Sequence, residues 1–277
     1  MISRVSPPPG PDRARCAALL LVAGLSACTS GPLDVIDLDP VSTTNDLVAH
    51  WSFDEGAGSM VLDSSGNDHH GLIAGGATWI PGRFGKALRF DAGEVRVDSF
   101  PQPGMASWSV LAWIRSPRDL MTGATYATII SNELLRSGGW QMNIRTTVAP
   151  ALYQFAYWKG PTENDNVFQN YEQVLPDQWV HLAGVYDKNS RTISIYRNGL
   201  PVMVNGLAVS ELADKPIKQG TTTLYLARWP PESTAAAQDT GEERRLTGDL
   251  DEIAVYNRAL DAKEVAALAR APIPQRP

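Results

Sequence analysis

From residue 47 onward, apolar and polar positions alternate in short runs separated by Gly, Pro and Asn. The stretch 107–115, SWSVLAWIR, sets Trp108, Val110, Ala112 and Ile114 against Ser109, Leu111, Trp113 and Arg115. A period of two is the signature of a strand, because successive side chains leave opposite faces. Both faces here are largely apolar, which suits a strand inside a two-sheet sandwich. Further strands are predicted at 48–53, 86–90, 94–98, 126–131, 140–146, 152–158, 179–186, 192–197, 201–204, 223–227 and 250–256. Asn198-Gly199 lies between two of them and predicts a tight hairpin, since both residues tolerate positive φ. So many short strands at this spacing imply an all-β sandwich or barrel. One helix is expected after Asp261-Ala-Lys-Glu264, a capping-box pattern with Val265, Leu268 and Ala269 on one face. The stretches 160–177 and 230–245 read as long loops.

The first 46 residues follow another pattern. Arg4, Arg13 and Arg15 precede a short apolar run, 17–25, and then Leu25-Ser26-Ala27-Cys28. A basic segment followed by a short apolar one predicts a secretory signal over residues 1–27. Its end resembles a bacterial lipobox, which implies lipidation of Cys28, an ordinary signal peptide with a chance cysteine being the alternative. Thr29 in place of Asp after Cys28 favours the outer membrane by the same resemblance. Residues 28–46 read as a polar tether, 47–270 as one domain and 271–277 as a tail. With Cys16 removed and Cys28 acylated, no thiol is left for a disulfide. An apolar fraction of 43% supports a packed core. A formal charge of −6 without a basic run argues against nucleic acid as a partner.

Six phrases now fall in order: WSFDEGAGSMVLDSSGNDHHG, GRFGKALRFDAGEVRVD, SWSVLAWIR, WVHLAGVYD, ISIYRNGLPV and GDLDEIAVYNRALDAKEV. Together they resemble the laminin-G-like jelly-roll domain of the concanavalin A-like lectin/glucanase superfamily, over roughly residues 47–269. The resemblance implies an antiparallel two-sheet jelly-roll sandwich with one short C-terminal helix. It further implies one structural calcium near the first and last strands, with Asp63 and Asp251 as ligands and Asp54 and Asn67 as further candidates. Hard oxygen donors in a Gly-punctuated loop suit that ion. The other reading of Asp63-Ser-Ser-Gly is an Asx-type turn, and of Asp251 a local hydrogen-bonding role.

Catalysis finds little support. Asp54 and Glu55 are adjacent, so on a strand they point to opposite faces and cannot flank one glycosidic bond. The Glu-x-Asp-x-x-Glu strand motif of the superfamily's glucanases is absent from the sequence. His50, His69 and His70 lack the spacing and the cysteine partners of a zinc site. Sugar binding remains, through aromatic faces and surrounding polar groups. Trp140, Tyr153, Tyr157, Trp158 and Trp229 sit at strand ends or beside the long loops, and Arg145 and Arg228 suit polar or acidic glycans. Sandwich packing is the competing role for each aromatic. The expectation is a lipid-anchored, non-catalytic envelope module that binds a glycan or a cell-surface protein. The alternatives are a glycoside hydrolase or polysaccharide lyase on the same fold, and a structural subunit of an outer-membrane complex.

Overall fold

The computed structural model describes residues 43–102, 106–118, 120, 126–133, 138–147, 150–158, 166–203, 209–212, 219–231 and 244–275. The expected signal segment, Cys28 and most of the expected tether lie outside the described residues. In chain order the strands are β1 (Leu47–Trp51), β2 (Met60–Val61), β3 (Gly71–Ala74), β4 (Ala77–Pro81), β5 (Lys86–Asp91) and β6 (Glu94–Val97). Next come β7 (Trp108–Arg115), β8 (Tyr126–Ser131), β9 (Trp140–Arg145), β10 (Leu152–Trp158), β11 (Asn166–Gln173) and β12 (Trp179–Asp187). The last are β13 (Thr192–Arg197), β14 (Leu200–Pro201), β15 (Val209–Leu212), β16 (Leu224–Leu226) and β17 (Thr247–Tyr256), followed by α1 (Ala262–Leu268).

They form two antiparallel sheets. The first runs β14-β13-β12-β7-β17-β5-β4, with β1 added on β17 and β15 on β13. The second runs β11-β10-β9-β8-β16-β6-β3-β2. Trp108, Val110, Ala112 and Ile114 of β7 enter the core between the sheets, as the alternation predicts. On the other face of β7, Leu111 joins a smaller core beneath α1 with Ala183, Ala254, Val265 and Leu268. That smaller core explains why both faces of β7 are apolar.

Asn198 and Gly199 take φ of 51° and 78° and connect β13 to β14, the two-residue turn expected from the sequence. Asp261 caps α1 by accepting from the backbone N–H of Lys263 and Glu264, and Glu264 returns the bond, closing the capping box. The stretch 160–177, read as a loop, contains β11. The expected tether and tail also pack on the domain at their inner ends. The Tyr256 hydroxyl donates to the Thr43 carbonyl at 2.6 Å, and Ile273 is buried.

Within β17, Glu252 adopts φ 48° and the register to β7 shifts between Asp251 and Ala254. This bulge leaves Leu250, Ile253 and Val255 facing the main core while Asp249 and Asp251 face outward. The extra residue lets Glu252 meet His50 of β1, with Nε2 to Oε2 at 2.7 Å.

Candidate functional site

The acidic segment 53–71 folds as a hydrogen-bonded turn. Asp63 accepts the backbone N–H of His50 and Ser65 on Oδ1 and that of His69 on Oδ2, each within 3.0 Å. The Asn67 amide donates to the carbonyls of Leu47 and Val48. Asp54 accepts the Lys86 N–H at 2.8 Å, and Asp251 Oδ2 accepts those of Arg83 and Phe84 at 2.7 and 3.0 Å. Asp54 and Asp251 therefore clasp the same β4–β5 turn, while Asp63 and Asn67 tie down a different one. A calcium cage needs converging carbonyl and carboxylate oxygens. Here backbone donors point at the carboxylates, and no three acidic or histidine side chains converge among the described residues. The four expected ligands do not fit one calcium site.

The expected aromatics mostly pack inward. Trp140 stands 4.9 Å from Trp108 in the core and Tyr157 5.4 Å from Tyr186, so neither presents a face to a ligand. Tyr153 is equally buried, and burial pushes its hydroxyl up to about 12. Trp229 is enclosed, its N–H donating to Glu133 at 2.6 Å and its face covered by the Arg244 guanidinium at 3.9 Å. Arg228 is paired with Glu94. Trp158 and Arg145 differ from these, because strand parity places them on the outer face of the second sheet.

That face carries a feature that no aromatic residue marks. Register aligns Thr128 of β8, Asn143 of β9 and Gln154 of β10 in one cross-strand row. The adjacent row aligns Tyr225, Ser131, Gln141 and Ala156. All the polar members are buried, yet among the described residues Thr128 Oγ1, Gln141 Oε1 and both polar atoms of the Asn143 amide have no hydrogen-bond partner. An unpaired buried polar group costs about 1–3 kcal/mol. Gathered on one sheet face, such groups form a floor of neutral donors and acceptors. The signal was present in the sequence as Gln141, Asn143 and Arg145 at every second position between core residues.

The outer face of the first sheet, beyond α1, is chemically different. One row there reads Arg89, Asp249, Arg115, Trp179 across β5, β17, β7 and β12. Asp249 is buried and takes Arg89 Nε and Arg115 Nε at 2.7 Å each. The next row reads Asp251, Trp113, His181. Arg83 lies over the Trp113 ring at 4.8 Å, and Phe84 meets that ring edge-on. Asp251 Oδ1, Trp113 Nε1 and His181 Nδ1 are buried without partners among the described residues. Burial pushes the Asp251 carboxyl up to about 7 and the His181 imidazole down to about 3.

Residues 91–266 match the family model of the concanavalin A-like lectin/glucanases superfamily, in its laminin-G form. The chain belongs to this superfamily. Its laminin-G-like jelly roll is similar to the binding domain of Paraclostridial Mosquitocidal Protein 1, with TM-score 0.62 and 15% identity over 82% of this chain and 52% of that one. It is also similar to domain 4 of AbnA, an extracellular arabinanase from Geobacillus stearothermophilus, in complex with arabinotriose (TM-score 0.55, 21% identity, 81% and 98% covered). A third is the binding domain of Botulinum neurotoxin DC in complex with rat synaptotagmin II (0.59, 15%, 82% and 52%). The jelly roll spans about half the length of the two toxin domains. No curated protein matches it at the sequence level. At these identities the structural likenesses establish the fold, and the ligand has to be argued from the residues.

Proposed function

We propose that the chain is a non-catalytic binding module of the bacterial cell envelope, tethered by a lipid on Cys28, that holds a glycan against the outer face of β8, β9 and β10. The observation that carries this reading is the Asn143 amide, fully buried with both its oxygen and its nitrogen unpaired, beside the unpaired Thr128 Oγ1 and Gln141 Oε1. A carboxamide offers one acceptor and two donors, and each sugar hydroxyl both donates and accepts. Adjacent hydroxyls of one sugar ring can therefore satisfy such an amide. Neighbouring strands lie ~5 Å apart, so a row across three of them meets an extended glycan at successive positions. The arabinotriose seen with the arabinanase domain supports a sugar as ligand for this fold. Trp158, itself buried, packs on the same face, and half-buried Arg145 borders it.

A glycan array probed with the chain tests this. Wild type should select a defined glycan group, and Asn143→Ala should weaken binding at least about tenfold, the order expected for a buried hydrogen-bonded pair. The same substitution should leave the melting temperature unchanged or raise it, since it removes an unpaired buried amide. If Asn143→Ala and Trp158→Ala both bind as wild type does, the face is wrongly assigned. For the anchor, Cys28→Ser should move the protein out of the membrane fraction, and Thr29 leads us to place the wild type in the outer membrane.

A further inference from the structure

Beside the Arg89–Asp249–Arg115 row, the surface opens into a cleft of about 580 Å³, a size that suits a small ligand or one sugar unit. Arg115 spends only its Nε on Asp249, and Arg89 spends Nε and one terminal nitrogen, so among the described residues both guanidinium forks keep uncommitted N–H groups. Their positions are fixed from below. Asp249 holds both arginines, and the Trp179 ring lies 4.9 Å from the Arg115 guanidinium. Both remain reachable, with side chains 54% and 30% exposed. Asp249 has both oxygens occupied and neutralises one arginine, leaving one positive charge over in a chain whose formal charge is −6. Of the acids along the cleft, Asp177 is paired with Arg118 at 3.3 Å. Asp91 is exposed and able to accept hydrogen bonds from hydroxyls.

We propose that this cleft is a second binding site, on the sheet opposite the amide face, for an acidic sugar of the hexuronate class. The planar carboxylate would sit on the two guanidinium forks, a geometry that favours arginine over lysine. Ring hydroxyls would donate to Asp91, and the Trp179 ring would hold the Arg115 guanidinium in place for the carboxylate. The mixture of paired arginines and one open carboxylate suits a ligand with both a carboxylate and hydroxyls. A bare anion gains nothing from Asp91.

Titrating the full chain with trigalacturonate, and separately with maltotriose and inorganic sulfate, tests the site. Trigalacturonate should bind at least about tenfold more tightly than maltotriose, weaken as salt rises, and shift the Trp179 indole resonance. Arg115→Lys keeps a cation beside Asp249 but loses the fork, and should weaken trigalacturonate about tenfold. Trp179→Ala leaves both arginines and should weaken it as well, which decides the matter if Arg115→Lys does not fold. Asn143→Ala should have no effect, which separates this site from the amide face. Equal binding of trigalacturonate and maltotriose, binding of neither, tighter binding of sulfate, or wild-type affinity in Arg115→Lys would each overturn the proposal.

Discussion

Beneath the β4–β5 turn, two side chains of one cross-strand row titrate in opposite senses. The folded carboxyl of Asp251 sits at about 7, above the roughly 3.9 of an unfolded aspartate, so the native state holds the extra proton between those values. Its contribution to stability is therefore present in acid and lost as pH rises towards 7. The folded imidazole of His181 sits at about 3, below the roughly 6.5 of an unfolded histidine, so its contribution appears as pH rises and is lost in acid. Between about pH 4 and 6.5 the two oppose each other. Urea denaturation across that range should show stability rising with pH in Asp251→Asn, falling with pH in His181→Gln, and changing less in wild type. Parallel curves for all three would refute the assignment. Asp63 gives a second prediction at this scale. With three backbone donors on one buried carboxylate, Asp63→Ala should cost about 3 kcal/mol, and a chelator should not change the melting temperature. Asp63 and Asp251 both stood out in the sequence as acids placed by the fold. Their partners did not, because a backbone N–H carries no residue identity and the choice between cation and amide is made by turn geometry.

The central strands were legible because their pattern is dense and two-sided, as in β7, β12 and β17, and the capping box of α1 was legible residue by residue. The short strands β2, β3 and β4 at the sheet margins were not, since they bury few residues and leave Met60 and Leu72 exposed. The aromatics misled for a related reason. Trp140 and Tyr157 lie at strand ends in the sequence, yet their parity puts them on the core face beside Met142 and Phe155. Parity read from Met142 and Phe155 would instead have singled out Gln141, Asn143 and Gln154. Packing between the sheets is tight enough to test at one position. A Cβ on Gly184 of β12 would lie 2.7 Å from three carbons of the Phe155 ring. Gly184→Ala should therefore destabilise by about 1–3 kcal/mol in equilibrium unfolding, and a smaller residue at 155 should relieve the added clash.

For the whole molecule, two sheet faces of unlike chemistry follow from one sandwich: neutral amides on one, arginines stacked on aromatics on the other. A protein so arranged could engage two parts of a mixed glycan, and variants of the two faces should act additively on its affinity. The bulge at Glu252 marks where the open side of β17 changes neighbours, from β5 along Thr247–Leu250 to β1 along Ile253–Tyr256. β1 is thereby closed by pairing Leu47 with Tyr256, almost the full length of the domain away in sequence. Contacts of that separation form late, because a long loop has to close before they can be made. While the chain is being made, β1 has no strand to join and the first sheet lacks its centre. The domain should thus reach its native state only once β17 has left the ribosome, and a chain ending at residue 245 should stay protease-sensitive. The last strand thereby acts as a timer for folding of the domain.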